Sequence, residues 1–371
     1  MSPDNKTISN DADIQTIVEI PQYGKKNVVL DATMLSTLMS CPRLSDFRFN
    51  MNLMGIGGKS NSLETGSIVH VFMEYYYKSI IAGVKKDDAF GYGISAAQMY
   101  IQGCPHCTDF HPIKCDVCVD GWVAIGDDIA DGHVPCEKCD KTGWKLQSPG
   151  CGHKVNEFPG VKNTPKDNTK LQNGGSLIGW QWALDSCDQY HRHYRNDHWV
   201  PLEVEVVKSM VLYEDDEIRV MWKSKLDLIS DTNQGIFPID HKTMKQNRDT
   251  NSMNNQFMGQ CRIMNTNNVF INKFGFQTTL KPEEKFKRIN VPYSNSRLLE
   301  WQGTIVPYYA KLLLMYAEME YYPPNFSNCE GKYGNCPFYK TACSLDPDDR
   351  ERGLKNNFVV GPEWNPTNDE D

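Results

Sequence analysis

The sequence has no long apolar run and no excess of positive charge, and each absence excludes a class of protein. No stretch approaches the ~18 consecutive apolar residues of a membrane-spanning helix, and the N-terminus lacks the apolar core of a signal peptide. We therefore expect a cytoplasmic protein with no membrane partner. The net charge of −8 argues against a wholly basic nucleic-acid-binding protein. A local basic strip is still compatible with it, with Lys223, Lys225 and Lys245 as candidates.

Cysteine, in contrast, is abundant, with 13 residues in 371. Thiols stay reduced in the cytosol, so metal binding explains these residues better than disulfide formation. Most of them fall into two groups with ligand-like spacing, one in the middle of the chain and one at its C-terminal end. Cys187 and Cys261 stand apart and are predicted to be core residues.

The middle group lies in residues 103–157, where the composition shifts to Cys, Gly, Asp and Lys. Four ligand pairs are enough for two tetrahedral zinc ions, although their pairing stays open. Two of the pairs, Cys115-x2-Cys118 and Cys136-x2-Cys139, partly resemble the knuckles of DnaJ-type zinc modules. The segment could be a structural insertion or a surface that grips DNA or a partner, and His106, His111 or His133 could replace a ligand. The predicted ligands are Cys104, Cys107, Cys115, Cys118, Cys136, Cys139, Cys151 and His153.

The C-terminal group consists of three evenly spaced cysteines, Cys329, Cys336 and Cys343. Three thiolates leave a tetrahedral site one ligand short, and Cys41 is the candidate for the fourth position. Zinc with four thiolates and free buried thiols are both compatible with this spacing.

The segment from 218 to 243 is predicted to form a two-stranded hairpin. Strands at 218–229 and 236–243 flank a run of turn-forming residues. Because side chains alternate along a strand, Asp240 and Lys242 project from one face and His241 from the other.

The register of this hairpin decides which face carries Asp227. Pairing Ile229 with Ile236 would set Asp227 opposite Pro238 and so on the Asp240 face. Two carboxylates and the nearby ammonium could then hold a magnesium ion and orient a water molecule. A solvated hairpin can also carry such residues by chance. Other parts of the chain therefore have to distinguish a metal site from a chance arrangement.

Two further positions could complete such a site. His70 and Glu74 are four residues apart on a predicted helix and therefore share a face, so His70 could be a third metal ligand. Gln256 opens another predicted helix and could contact the substrate backbone or brace the lysine. A surface or core histidine and a solvated glutamine are the alternatives.

The order of predicted elements indicates a mixed α/β (α+β) fold, in which helices lie on the faces of a mixed sheet. The cysteine-rich segment would be an insertion in it. The predicted divisions are a flexible N-terminal segment at 1–30, a helical part at 31–102, a zinc-binding insertion at 103–157, the core with the C-terminal cysteines at 158–345, and an acidic tail at 346–371.

Several short motifs in a fixed order resemble the RecB-like branch of the PD-(D/E)XK nucleases. This branch includes the CRISPR-associated iron–sulfur exonucleases, the AddAB nuclease domains and phage relatives. The resemblance covers residues 31–345 without the cysteine-rich insertion, and it implies a restriction-endonuclease-like mixed sheet flanked by helices. The motifs are Cys41-Pro42-Arg43, Gly66-x-x-x-His70, Leu226-Asp227, Ile239-Asp240-His241-Lys242-Thr243 and Gln256-Phe257-Met258-Gly259, followed by the cysteine-rich C-terminus.

The resemblance implies roles for individual residues. His70, Asp227 and Asp240 would hold Mg²⁺ or Mn²⁺, Lys242 would position or activate the attacking water, and Gln256 matches the family's glutamine. The backbone carbonyl of the residue between Asp240 and Lys242 is a further candidate ligand.

For the cysteines, the resemblance implies a 4Fe–4S cluster held by Cys41, Cys329, Cys336 and Cys343, with zinc as the alternative. The chain departs from the pattern where a tyrosine usually follows the glutamine by four positions, because Gln260 stands there.

The sequence therefore predicts a metal-dependent DNA nuclease, with exonuclease action favoured. It would act in replication, recombination or repair of a phage or prokaryotic genome. Single-stranded DNA or duplex ends would be its partners, with replication or recombination proteins as further candidates. The alternative is a non-catalytic DNA-end-binding or assembly protein that keeps the nuclease fold.

Overall fold

The fold is taken from a computed structural model, which describes most of the chain outside the cysteine-rich segment. The described residues are 25–55, 61–102, 111–114, 122–124, 133–135, 144–147, 169–170, 177–178, 180–244, 253–275, 280–331, 334–361 and 364.

Ten α-helices are seen in these ranges. They are α1 (Ala32–Ser40), α2 (Pro42–Ser45), α3 (Asn61–Ile81), α4 (Lys86–Gln102), α5 (Trp180–Tyr194), α6 (Asn255–Ile263), α7 (Pro282–Lys285), α8 (Asn295–Glu300), α9 (Val306–Glu318) and α10 (Pro347–Asn357). π-Helical turns occupy Asp46–Asn50, Trp301–Ile305 and Tyr339–Cys343, and a 3-10 turn occupies Phe326–Asn328.

The same ranges contain sixteen strands. They are β1 (Lys26–Leu30), β2 (Leu53–Gly55), β3 (His111–Lys114), β4 (Trp122–Ala124), β5 (His133–Pro135), β6 (Trp144–Gln147), β7 (Thr169–Lys170), β8 (Leu177–Ile178), β9 (Val200–Glu214), β10 (Ile218–Thr232), β11 (Gly235–Met244), β12 (Asn268–Gly275), β13 (Phe286–Pro292), β14 (Glu330–Gly331), β15 (Gly334–Asn335) and β16 (Phe358–Val360).

Six of the strands form one mixed sheet in the order β1-β10-β11-β12-β13, with β9 paired along the other side of β10. β1 is parallel to β10 and β11 is parallel to β12, whereas the remaining neighbours are antiparallel. The parallel step from β11 to β12 passes through helix α6, as a parallel connection requires a crossover.

Helices cover both faces of this sheet, because its central strands alternate apolar side chains between two cores. On β12, Phe270 and Phe274 pack in the core under α3, α4 and α5, while Val269 and Ile271 pack in the core under α1, α6 and α9. The fold is therefore a mixed α+β architecture with a mixed sheet flanked by helices, and the predicted fold class is confirmed.

A small third core joins the C-terminal part to the rest of the fold. Leu354 of α10 and Phe358 of β16 pack with Phe47 and Phe338, and β16 pairs with β2. Part of the segment that was predicted to be an acidic tail is thus ordered secondary structure. At the other end, β1 extends the main sheet from within the segment predicted to be flexible.

None of the helices in the described part of the chain is long and apolar enough to cross a bilayer.

Candidate functional site

The register of the hairpin differs from the prediction by two residues. Ile229 pairs with Pro238 and Asp231 pairs with Ile236, so the predicted Ile229–Ile236 pair is wrong. The turn is tighter than expected because both strands extend into the run of turn-forming residues. A shift of two keeps every side chain on its face, so Asp227 still shares a face with Asp240.

The candidate site lies where β10 and β11 separate. Their ladder ends at the Leu228–Ile239 pair, and from Asp240 onward β11 pairs with β12. The backbone N–H of His241, which has no β10 partner, instead donates to Asp227 Oδ2 at 2.7 Å. We call this opening the fork. It lets polar side chains approach the sheet backbone without breaking a ladder hydrogen bond.

Helix α3 brings a histidine to the fork. The helix lies close to β11 at Gly66, where a Cβ atom would come within 3.2 Å of Thr243 Oγ1. One turn later, His70 Nδ1 lies 3.8 Å from Asp227 Oδ2. A glycine that permits close approach, followed by a histidine on the same face, explains why the predicted Gly66-x-x-x-His70 motif reaches the site.

Among the described residues, His70, Glu205 and Asp227 form a group whose potential ligand atoms all lie within 4.8 Å of one another. Their side chains are partly accessible, with 12% exposed for Glu205 and 13% for Asp227. One imidazole nitrogen and two carboxylate oxygens suit Mn²⁺ and similar divalent ions. Asp240, predicted as the third ligand, does not belong to this group.

Glu205 was missed by the sequence analysis. It lies on β9 between Val204 and Val206, which pair with Leu228 and Leu226, so it faces Asp227 across the ladder. Its φ of 50° is rare for a residue with a Cβ, and backbone strain of this kind is often found at functional sites. The sequence around Glu205 does not indicate this role, because the irregular backbone at Glu205 and the register that sets it opposite Asp227 leave no mark in the local pattern.

The surroundings of Glu205 disfavour its ionised form when no metal ion is bound. Burial, followed by repulsion from Asp227, raises its pKa to about 8, and Lys225, whose ammonium lies 3.0 Å away, only partly opposes this. Because Lys225 is held in this ion pair, it is less available for the predicted basic strip. Lys245 lies outside the described residues.

Asp240, Lys242 and Gln256 form a closed set of contacts beside the metal-capable group. The Lys242 ammonium lies 2.9 Å from Asp240 Oδ2 and 3.2 Å from Oδ1. Gln256 Nε2 donates to Asp240 Oδ1 at 2.8 Å, while its Oε1 accepts from Lys242 at 3.3 Å. Asn254 caps the start of α6 and thereby fixes the position of Gln256.

The ionisation of the pair follows from its surroundings. Asp240 is fully buried, and burial raises its pKa. For Lys242, burial alone would lower the pKa, but attraction to Asp240 and Asp227 outweighs it and the pKa is raised. Lys242 is therefore an ammonium at neutral pH, with 35% of its side chain exposed.

The His241 ring lies edge to face with the His70 ring, with 6.1 Å between their centroids, and takes part in a buried polar network. Its Nδ1 accepts from Asn272 Nδ2 at 3.0 Å, and Asn272 also donates to Tyr190, whose hydroxyl is 2.7 Å from that of Tyr77. The Tyr77 ring stacks on the imidazole. Burial lowers the pKa of His241 to about 3, so the ring stays neutral.

The structure brings Cys41 beside the three C-terminal cysteines. Burial raises the pKa of Cys329, and the neighbouring Cys336 and Cys41 raise it further. Burial also raises the pKa of Cys343, to about 11. The neighbouring Arg43 opposes this rise, and the other three cysteines add to it.

Hydrogen bonds from the C-terminal part hold the chain around Cys41 in place. Asn325 N donates to Cys41 Sγ at 3.3 Å, and the side chains of Asn325 and Asn328 donate to Ser40 O at the end of α1. Four buried or half-buried thiols are the ligand type that a 4Fe–4S cluster or zinc takes. Their sulfur atoms do not form a described group in which three ligand atoms lie within 4.8 Å of one another.

The predicted zinc ligands from Cys104 to His153 lie outside the described residues. Between them the structure describes two antiparallel strand pairs, β3 with β6 and β4 with β5.

Comparisons with known proteins give no family. No protein-family model matches the chain, and no curated protein matches it. One solved structure, titled "Crystal structure of SSO0001", aligns at 12% sequence identity with a TM-score of 0.24. The alignment covers 37% of this chain and 58% of that chain. A likeness this weak carries no argument about fold or function.

Proposed function

We propose that this chain is a metal-dependent DNA nuclease of the PD-(D/E)XK type, with exonuclease action favoured. One observation carries the proposal: a histidine and two carboxylates with metal-ligand spacing lie at the same fork as a buried carboxylate and its lysine. The site would act in the cytoplasm on phage or prokaryotic DNA, with replication or recombination proteins as further candidate partners.

His70, Asp227 and Asp240 would hold Mn²⁺ or Mg²⁺, with Glu205 as a further candidate ligand beside His70 and Asp227. Such an ion, when bound, stabilises charge on the scissile phosphate and makes a bound water more acidic. The chain's own contribution is electrostatic and positional. The Lys242 ammonium is anchored at the fork, where it can hold the attacking water by a hydrogen bond and offset phosphate charge.

The cysteines would bind structural cofactors. Cys41, Cys329, Cys336 and Cys343 are proposed to hold a 4Fe–4S cluster, with zinc as the alternative, which would join the two ends of the domain. The ligand pairs between Cys104 and His153 are proposed to hold two zinc ions.

The proposal is tested by cleavage of end-labelled single- and double-stranded DNA in Mn²⁺. The wild type is expected to cut, and Lys242→Ala to lose about 10²-fold or more in rate, because a positioned lysine acts on the reacting water. Lys311→Ala is the matched control, since Lys311 is 42% exposed on α9 and pairs with Asp215 and Glu217.

Absence of cutting by the folded, Mn²⁺-loaded wild type would contradict the proposal. The protein would then be better described as a non-catalytic DNA-end-binding or assembly protein, which salt-dependent DNA binding would reveal.

A further inference from the structure

Three lysines lie side by side on the strands that follow the fork. In the parallel pair of β11 and β12, Lys242 is the partner of Lys273. In the antiparallel pair of β12 and β13, Lys273 is the partner of Lys287. Partners in a ladder project from the same face of a sheet, so the three side chains form one row, which we call the lysine row.

The lysine row lies on the face of the sheet that carries Asp240. Two residues before the row, Asp240 is the partner of Ile271, and Ile271 is opposite Ile289. Both isoleucines pack in the core under α6. The row therefore begins at the lysine of the proposed site and runs away from it across the sheet.

The row also lies near the ends of the strands. Lys242 and Lys273 each precede the last residue of their parallel strand by two positions, since β11 ends at Met244 and β12 at Gly275. Ligands of open α/β sheets bind outside the carboxyl ends of parallel strands, so this edge of the sheet is a suitable place for a substrate.

We propose that Lys273 and Lys287 extend the substrate-binding surface from Lys242 along the DNA backbone. Lys287 would contact a phosphate group next to the one that is cut, and Lys273 would add its charge. The inference rests on the proposed function and gives the same site a path for the DNA strand. It differs from the basic strip predicted on β10, where Lys225 is held in an ion pair with Glu205.

The spacing of the row fits a neighbouring phosphate group better than the scissile one. Adjacent strands of a sheet lie ~4.8 Å apart, so the backbone of Lys287 is ~10 Å from that of Lys242. At ~3.4 Å per nucleotide in a duplex strand, this distance spans up to about three nucleotides. Contacts to phosphate groups at such positions fix the register of the substrate.

The stability of the fold does not explain why these lysines are neighbours. Two like charges directly opposite each other on paired strands destabilise a sheet, and Lys273 and Lys287 are such a pair. Burial lowers the pKa of Lys273 and repulsion from Lys287 lowers it further, while Glu284 opposes both effects. A phosphate group bound beside the pair would offset the repulsion.

The lysines differ in accessibility, and this assigns them different parts in binding. The Lys242 side chain is 35% exposed and Lys287 is half-buried, whereas Lys273 is buried. A buried charge is screened by salt less than an exposed one, so Lys273 can attract a phosphate group without touching it. Lys287 can donate a hydrogen bond to the phosphate directly.

The first test is the binding of a fluorescently labelled single-stranded oligonucleotide to the full-length protein in EDTA, which prevents metal-dependent cleavage. Lys287→Gln should weaken binding about three- to tenfold and lower the slope of log K against log salt by ~0.7, the value of one phosphate contact on a single strand. Lys287→Glu should weaken binding further, because it reverses the charge. Lys208→Gln is the matched control, since Lys208 lies on β9 of the same sheet, is 31% exposed and pairs with Glu203.

The second test separates binding from chemistry and from folding. In Mn²⁺, Lys287→Gln should raise KM for DNA and leave kcat within about threefold of the wild type, because it removes binding that the ground state and the transition state share. Its midpoint of urea unfolding should be unchanged or higher, since the repulsion from Lys273 is relieved. Lys273→Gln should also weaken binding, and the Lys287 variants carry the test if it does not fold.

The inference is overturned if both Lys287 variants bind DNA with the affinity and salt slope of the wild type. It is also overturned if their binding is lost together with a lowered unfolding midpoint, which would give Lys287 a structural role. A wild type that binds DNA through Lys287 but does not cut it in Mn²⁺ would support this inference and contradict the proposed nuclease activity alone.

Discussion

Replacing Glu205 with glutamine should stabilise the metal-free protein at neutral pH, although it removes a proposed metal ligand. The pKa of Glu205 is raised from 4.5 to about 8, first by burial and then by Asp227. A carboxyl group with a raised pKa in the folded state destabilises the fold as pH rises from the unfolded pKa to the folded one. Below pH 4.5 this penalty is absent, and above pH 8 it is complete.

The magnitude follows from these two pKa values. At pH 7, about 2.5 pH units above the unfolded pKa, the penalty amounts to ~3 kcal/mol. At pH 5 it falls below ~1 kcal/mol. Glutamine keeps the shape of the side chain without the charge, and Lys225, with 20% of its side chain exposed, can still be solvated.

Urea unfolding in EDTA at pH 5 and pH 7 measures the effect. Glu205→Gln should exceed the wild type in unfolding free energy by ~2–3 kcal/mol at pH 7 and by less than ~1 kcal/mol at pH 5. Glu203→Gln is the matched control, because Glu203 lies on the same strand but is 44% exposed and paired with Lys208. Saturating Mn²⁺ should reverse the order, because only the wild type keeps the full ligand set. A variant with the same advantage at both pH values, or with none, would refute this reasoning.

Two further changes test the packing and the cysteines. Gly259→Ala should destabilise the fold by about 1–3 kcal/mol, because the added Cβ would overlap the Trp222 indole. Gly303→Ala has open space around its Cβ and should leave the melting temperature unchanged or raise it, so equal effects in the two variants would contradict the packing. Cys343→Ser should abolish bound iron and sulfide in anaerobically purified protein, whereas Cys187→Ser, in the core, should retain both; iron retained in Cys343→Ser would exclude this cysteine as a ligand.

The elements around the site were largely predictable, because local patterns specify them. The hairpin strands end within a few residues of their predicted bounds, and the helices predicted to carry His70 and Gln256 are both present. The alternation of side chains along β11 correctly predicted that Asp240 and Lys242 lie on one face of the strand and His241 on the other.

What depends on strand pairing was less predictable. β9 runs as a single strand with an irregular position at Glu205, which the local sequence pattern does not indicate. β12 was missed altogether, although it lies inside the sheet. Its sequence is Asn-Val-Phe-Ile-Asn-Lys-Phe-Gly. Asn272 lies among apolar residues on one face and Lys273 among apolar residues on the other, and both are buried. A short strand with this mixture gives no clear period.

The hydrogen bond from Asn325 to Cys41 also bears on how the protein matures during synthesis. The two residues are 284 positions apart, so the contact cannot form until the ribosome has made nearly all of the domain. At about 5–20 residues per second, Cys41 waits roughly 15–60 s for its C-terminal neighbours. During that interval its thiol is exposed on a nascent chain. Under oxidative stress, newly made chains should therefore accumulate oxidative damage at Cys41 before the completed fold can bury it.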